Sequence, residues 1–213
     1  MNATRETRIR AALRPSEALQ ARFGALAMQV REWAAAFSAP VSIGITGVKS
    51  GVGTSTVAYN LAHALSSGLA PEKVLLIEGS FGTPFVFKEL TTGLAEVLQG
   101  QADFDDCVLR TLPEQPCLLA CGKTTLRGAS ELPWGRLDTV LQVQASRFEF
   151  VIFDLPPIAR DGLCQEISSQ LTGLLVVNEP NDLGSEQLER MRRQLQKTPV
   201  EFLGRVVNKS LGN

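Results

Sequence analysis

Gly47-Val48-Lys49-Ser50-Gly51-Val52-Gly53-Thr54-Ser55-Thr56 carries the strongest fold signal in the chain. A short apolar run, Val41 to Ile45, precedes it, and a helical pattern from Ser55 to Leu65 follows. Strand, Gly-rich turn and helix N-terminus in that order describe a phosphate-binding loop, in which backbone N–H groups converge on an anion at the positive end of a helix. Gly51 and Gly53 let the backbone approach closely, and Ser55 or Thr56 supplies a hydroxyl for a divalent cation. Thr54, however, stands where such loops carry their phosphate-gripping lysine, and Val48 stands where they carry their first glycine.

Outward from the loop, apolar runs alternate with helical patterns. Strands are expected at 41–46, 73–78, 117–120, 148–154, 174–178 and 202–208, and helices at 56–65, 90–99, 134–145, 162–170 and 185–196. The strands are short, rich in Val, Ile and Leu, and apolar on both faces, as parallel strands covered by helices are. The pattern predicts an α/β fold, a doubly wound and mostly parallel sheet flanked by helices. Ahead of it, Leu19, Phe23, Leu26, Val30, Trp33 and Phe37 recur at spacings of four and three between Pro15 and Pro40. They form one stripe on an amphipathic helix of about six turns. Residues 1–14, with Arg5, Arg8, Arg10 and Arg14, read as a loose basic arm, and 15–213 as a single domain without an internal boundary.

Composition excludes several classes. Of 213 residues, 44% are hydrophobic and 20% charged, which suits a globular core. The net charge of -1 provides no general basic field for nucleic acid. No apolar run reaches the ~20 residues of a transmembrane helix, and no signal-peptide pattern opens the chain. Cys107, Cys117, Cys121 and Cys164 fit no paired zinc spacing and read as buried thiols, with a reducing, cytoplasmic location as the expectation. Tyr59 and Trp134 read as packing residues, and His63 as a surface or packing residue. Arg190, Arg192, Arg193 and Lys197 read as the solvated face of a late helix.

Two further strands end on acids: Val74-Leu75-Leu76-Ile77-Glu78, and Phe150-Val151-Ile152-Phe153-Asp154, which Leu155-Pro156-Pro157 follows. An acid at the carboxyl end of such a strand faces the same crevice as the loop and can hold Mg²⁺ there.

With these segments the chain resembles the cytoplasmic domain of the bacterial tyrosine kinases linked to capsule and exopolysaccharide synthesis. They belong to the deviant P-loop ATPases, a class that includes the chromosome-partition and septum-site proteins. Members read T-S-x-x-P-G-E-G-K-S-T over residues 46–56, V-L-L-I-D-x-D-x-R-x-P over 74–84, and Y-D-x-V-I-I-D-T-P-P over 148–157. Gly93-Leu94-Ala95-Glu96-Val97-Leu98-Gln99-Gly100 is similar to a further family segment, and Gly204-Arg205-Val206-Val207-Asn208 to the last strand, whose asparagine lies near the adenine in relatives. The resemblance implies nucleotide binding by Lys49, Ser50, Gly51, Val52, Gly53, Thr54, Ser55, Thr56 and Asn208. It implies Mg²⁺ at Ser55, Glu78 and Asp154, and chemistry at Lys49, Glu78 and Asp154. ATP with Mg²⁺ is the implied cofactor. A membrane-bound capsule or exopolysaccharide chain-length or export protein is the implied partner, with a homo-oligomer as another. The location would then be cytoplasmic or peripheral at the inner membrane face.

The departures bear on activity. Thr54 replaces the lysine, Glu78 the first acid of the second motif, Ser80 its second acid and Thr83 its basic residue. The oligomer-forming E-x-x-R-x-x-R would align near Glu17, Gln20 and Phe23, and no tyrosine cluster ends the chain. Lys49 falls where partition-type relatives carry a lysine that reaches phosphate across a dimer. These features imply a degenerate member that serves as a regulatory or scaffold partner with weak or no phosphoryl transfer. The alternatives are an active kinase or ATPase that uses Lys49, and a partition-like dimer switch driven by ATP.

Overall fold

The structure is a computed structural model that describes residues 17–38, 40–67, 73–81, 92–110, 115–124, 129–144, 146–158, 162–182 and 199–208, together with 186, 189 and 193. The basic arm, Thr83 and all but Arg193 of the late basic run lie outside the described residues.

Helix α1 (Glu17–Ala34) leads into β1 (Val41–Gly47) and α2 (Thr54–Ser66). Then come β2 (Val74–Glu78), α3 (Leu94–Gln99), α4 (Phe104–Cys107), β3 (Val108–Leu109) and β4 (Cys117–Leu119). A 3-10 turn at Trp134–Arg136 opens α5 (Leu137–Val143), and β5 (Phe150–Asp154), α6 (Leu163–Ser168), β6 (Gly173–Asn178) and β7 (Glu201–Val207) follow. Among the described residues the seven strands form one sheet in the order β3-β4-β2-β5-β1-β6-β7. Every pairing is parallel except that of β3 with β4. Every residue of β1, β2, β5 and β6 is buried, because helices cover both faces.

β1 lies between β5 and β6, and the chain leaves it across β5 toward β2 but later returns to extend the sheet on the other side. That reversal opens a crevice at the carboxyl ends of the strands. Helix α2 packs over β1, β2 and β5, with its N-terminus at this crevice.

The stripe on α1 packs on the protein itself, against α2. Ala27, Val30 and Ala34 are buried, and Phe23, Leu26 and Trp33 rest on the core. Leu19 and Phe37, at the ends of the stripe, remain 36% and 38% exposed. Gly173 admits the packing of Trp33, since a Cβ there would lie 2.8 Å from its Cη2. Arg31 donates to the carbonyls of Leu65 (2.7 Å) and Ser67 (2.8 Å), placing a cation at the carboxyl end of α2.

The expected strands are all present, with small shifts at their ends. The short segments α4 and β3 carry too few residues to show a period. The antiparallel β3 edge therefore emerges only from its pairing with β4. The helix expected at 134–145 starts as a 3-10 turn, at whose first residue the Trp134 indole donates to the Ala129 carbonyl (2.8 Å). The same ring meets Phe81 edge-on at 5.7 Å and so anchors the exit of β2. All four cysteines are free and buried.

Trp134→Ala should lower the unfolding free energy by about 3–5 kcal/mol. A reduced urea midpoint with unchanged slope would show it, and an unmoved midpoint would deny the ring its anchoring role.

Candidate functional site

Parallel register sets the site. Asp154 pairs with Ile45 on one side and with Glu78 on the other, so the two acids end adjacent strands at the same rim. Each residue is only 3% exposed. The Asp154 carboxyl is pushed up to about 7, chiefly by burial; the Glu78 charge adds to the rise and a hydrogen bond from Ser55 opposes it. Asp154 Oδ1 is buried and finds no hydrogen-bond donor among the described residues. A buried acceptor of this kind is costly unless a cation or donor reaches it. Hard oxygen ligands from Ser55, Asp154 and Glu78 suit Mg²⁺, which usually completes its shell with water and phosphate oxygens. Among the described residues no cluster of three His, Cys, Asp or Glu side chains offers another metal site.

The loop closes over the end of β1. Gly51 (φ 82°) and Gly53 (φ 92°) adopt the left-handed conformation that favours glycine. Val52 is fully buried, and Thr54 Oγ1 and Val52 Cγ2 would each lie 2.6 Å from a Cβ on Gly47. The Thr54 side chain thus folds back onto the start of the loop. Ser50, Gly51 and Thr56 are exposed, whereas Gly53 and Ser55 are half-buried.

Asn208, just beyond β7, donates its amide to the Val52 carbonyl (2.8 Å), while its own N–H reaches the Asn178 carbonyl (2.9 Å). Gly53 packs so tightly beneath it that a Cβ would meet Asn208 Nδ2. Lys49 Nζ lies 2.9 Å from Asp182 Oδ1 and 3.0 Å from Glu179 Oε2. Those hydrogen bonds, Asp182 first, raise the pKa of the ammonium. The Asp182 carboxyl is lowered, first by the Glu179 N–H and then by Lys49.

The fold thus gathers Lys49, Ser55, Glu78, Asp154 and Asn208 at the same edge of the sheet. Ser80 follows β2 there half-buried. Sequence reading missed Glu179, Asp182 and Asn178, whose buried Oδ1 also lacks a donor among the described residues. Their signal was the run Asn178-Glu179-Pro180-Asn181-Asp182 directly after a strand that borders β1.

Asp154 generates a pH test. Its native pKa of about 7 exceeds the ordinary value of 3.8. The native state therefore holds the extra proton between those values, and stability falls as pH rises through that window. At ~1.4 kcal/mol per unit the deficit above neutrality reaches a few kcal/mol. Asp154→Asn should raise the melting temperature near pH ~8 and change it little near pH ~4 by calorimetry. A difference independent of pH would sink this account.

Comparison with known proteins agrees with this architecture. The family model described as "Cellulose biosynthesis protein BcsQ" matches residues 41–198. The tyrosine-protein kinase CpsD of Streptococcus agalactiae is 27% identical over 172 residues, covering 78% of this chain and 74% of its own. Among solved structures, the BceF tyrosine kinase domain superposes with a TM-score of 0.74 at 23% identity, covering 94% of this chain and 81% of its own. The septum-site protein MinD of Pyrococcus horikoshii, complexed with Mg-ADP, gives 0.64 at 20% identity, covering 78% and 69%. These structural likenesses establish the fold, and the family match covers the sheet from β1 to the segment after β6. The chain belongs to the BcsQ cellulose-biosynthesis family of the P-loop ATPase fold, and it is similar in sequence to the bacterial tyrosine kinases.

Proposed function

We propose that this protein is a regulatory or scaffold partner in exopolysaccharide synthesis or export that binds Mg-ATP but transfers phosphate weakly or not at all. The carrying observation is the charge on the loop. Thr54 occupies the lysine position, and Lys49, the loop's remaining cation, is engaged by Glu179 and Asp182 of the same chain. Phosphoryl transfer depends on positioned positive charge. Removing one preorganised stabilising group typically costs 10²- to 10³-fold in rate.

Binding depends less on the lysine. The N–H groups of residues 51–56 stand at the N-terminus of α2, where an anion is favoured. Ser55, Asp154 and Glu78 would hold Mg²⁺, which would neutralise phosphate charge when bound. Asn208 braces the loop through Val52.

The pathway rests on the BcsQ family description and on relatives named as tyrosine kinases such as CpsD. The partner would be a membrane-bound chain-length or export protein at the cytoplasmic membrane face. Among the described residues no helix is long and apolar enough to cross a membrane.

Purified protein should release phosphate from ATP at close to the background rate, and Thr54→Lys should raise that rate by at least tenfold. ATP with Mg²⁺ at a hundredfold its dissociation constant should stabilise the wild type by about 2.7 kcal/mol in a thermal-shift measurement. Robust wild-type hydrolysis would overturn the weak-transfer reading, and no thermal shift would overturn binding.

A further inference from the structure

Lys49 is held by a turn that is already fixed. Beyond Asn178 the chain makes the 3-10 turn Pro180–Asp182. Asp182 Oδ2 accepts the Glu179 N–H (3.0 Å), and the Asp182 N–H returns to the Glu179 carbonyl (3.0 Å). One carboxylate oxygen therefore closes the turn, and the other, Oδ1, meets Lys49. Asp182 is nearly buried, whereas the Lys49 side chain remains 41% exposed. The acid is the fixed member of the pair and the lysine the movable one.

The backbone ties the same two segments together. The Val48 N–H donates to Val177 (3.1 Å), so the loop leaves β1 alongside the end of β6. Asn208 then holds Val52 from the end of β7. The glycines at 51 and 53 lie between or beside these fastenings and supply the conformational freedom. Two carboxylates face one ammonium, so the local balance is negative. An incoming polyphosphate meets a cation already claimed by acids.

We propose that Glu179 and Asp182 form an ionic latch on the phosphate loop: they fasten it through Lys49 and compete with a polyphosphate for that ammonium. The competition rests on the reading that the loop receives nucleotide phosphates, whereas the fastening does not. Exposed ion pairs add little to global stability. The latch should therefore act on the loop and leave the fold as it is.

The test uses the double variant Glu179→Gln/Asp182→Asn, in which the new amide oxygen still accepts the turn's N–H. By hydrogen-exchange mass spectrometry without ligand, peptides over 47–56 should exchange about two- to fivefold faster than wild type, the range such a pair supplies, while those over α1 stay unchanged. By titration calorimetry at low salt with Mg²⁺ present, inorganic tripolyphosphate should bind the variant about two- to fivefold more tightly, and Lys49→Ala should bind it more weakly than wild type. Unchanged loop exchange would overturn the latch, and unchanged or weaker tripolyphosphate binding in the double variant would overturn its competition with phosphate. Faster loop exchange with no binding of tripolyphosphate and Mg²⁺ in any variant would uphold the fastening alone and refute the nucleotide reading. Should the double variant fail to fold, Glu179→Gln, which leaves the Asp182 turn intact, carries the same measurements.

Discussion

The parallel pairing of β1 with β5 and β6 is the constraint on which the rest depends. It aligns Ile45 with Asp154 and Gly47 with Val177, and through β5 it aligns Glu78 with Asp154. A side chain at a strand's end cannot choose its neighbours once that register is fixed. The loop must emerge where the acids end, and α2 must begin above them. A slip of one residue would turn Asp154 to the opposite face of the sheet.

Charge gives this rim its character. Glu78 and Asp154 are buried side by side, and Glu179 and Asp182 flank the loop a short way along the edge. Burial of a carboxylate without a cation is unfavourable, and the raised Asp154 pKa expresses that cost. On the proposed reading, this rim would favour a polyanion that arrives with a divalent cation over a bare one. Lys49 is held by two of the rim's acids, and in the proposed latch it is the group for which an incoming anion would compete.

The loop holds its shape with a threonine at position 54. The glycines adopt left-handed conformations, Val52 fills the space beneath the turn, and Asn208 fastens the loop from the end of β7. That scaffold presents N–H groups to an anion with or without a lysine at position 54. Catalytic charge stabilisation needs a cation at a defined point, whereas anion binding needs only converging dipoles. On the proposed reading, the chain keeps the architecture of a P-loop ATPase and binds nucleotide while transferring phosphate weakly or not at all.

The glycine-rich loop, the main strands of the sheet and the acids that close β2 and β5 were legible in the order of the amino acids alone. Each of these is written in local pattern: glycine spacing, β-branched runs, and an acid directly after an apolar segment. Parallel strands also obey a general rule about where their carboxyl ends lead, so Glu78 and Asp154 could be assigned to one crevice before any coordinates. Which partners meet there depends on how the strands assemble in the folded chain. Lys49 and Asp182 are 133 residues apart in sequence, and Asn208 and Val52 are 156 apart. The short antiparallel edge at Val108–Leu109 likewise exists only through β4. No local pattern encodes such pairings. They follow from strand order and register, which the whole chain settles at once by burying its apolar faces.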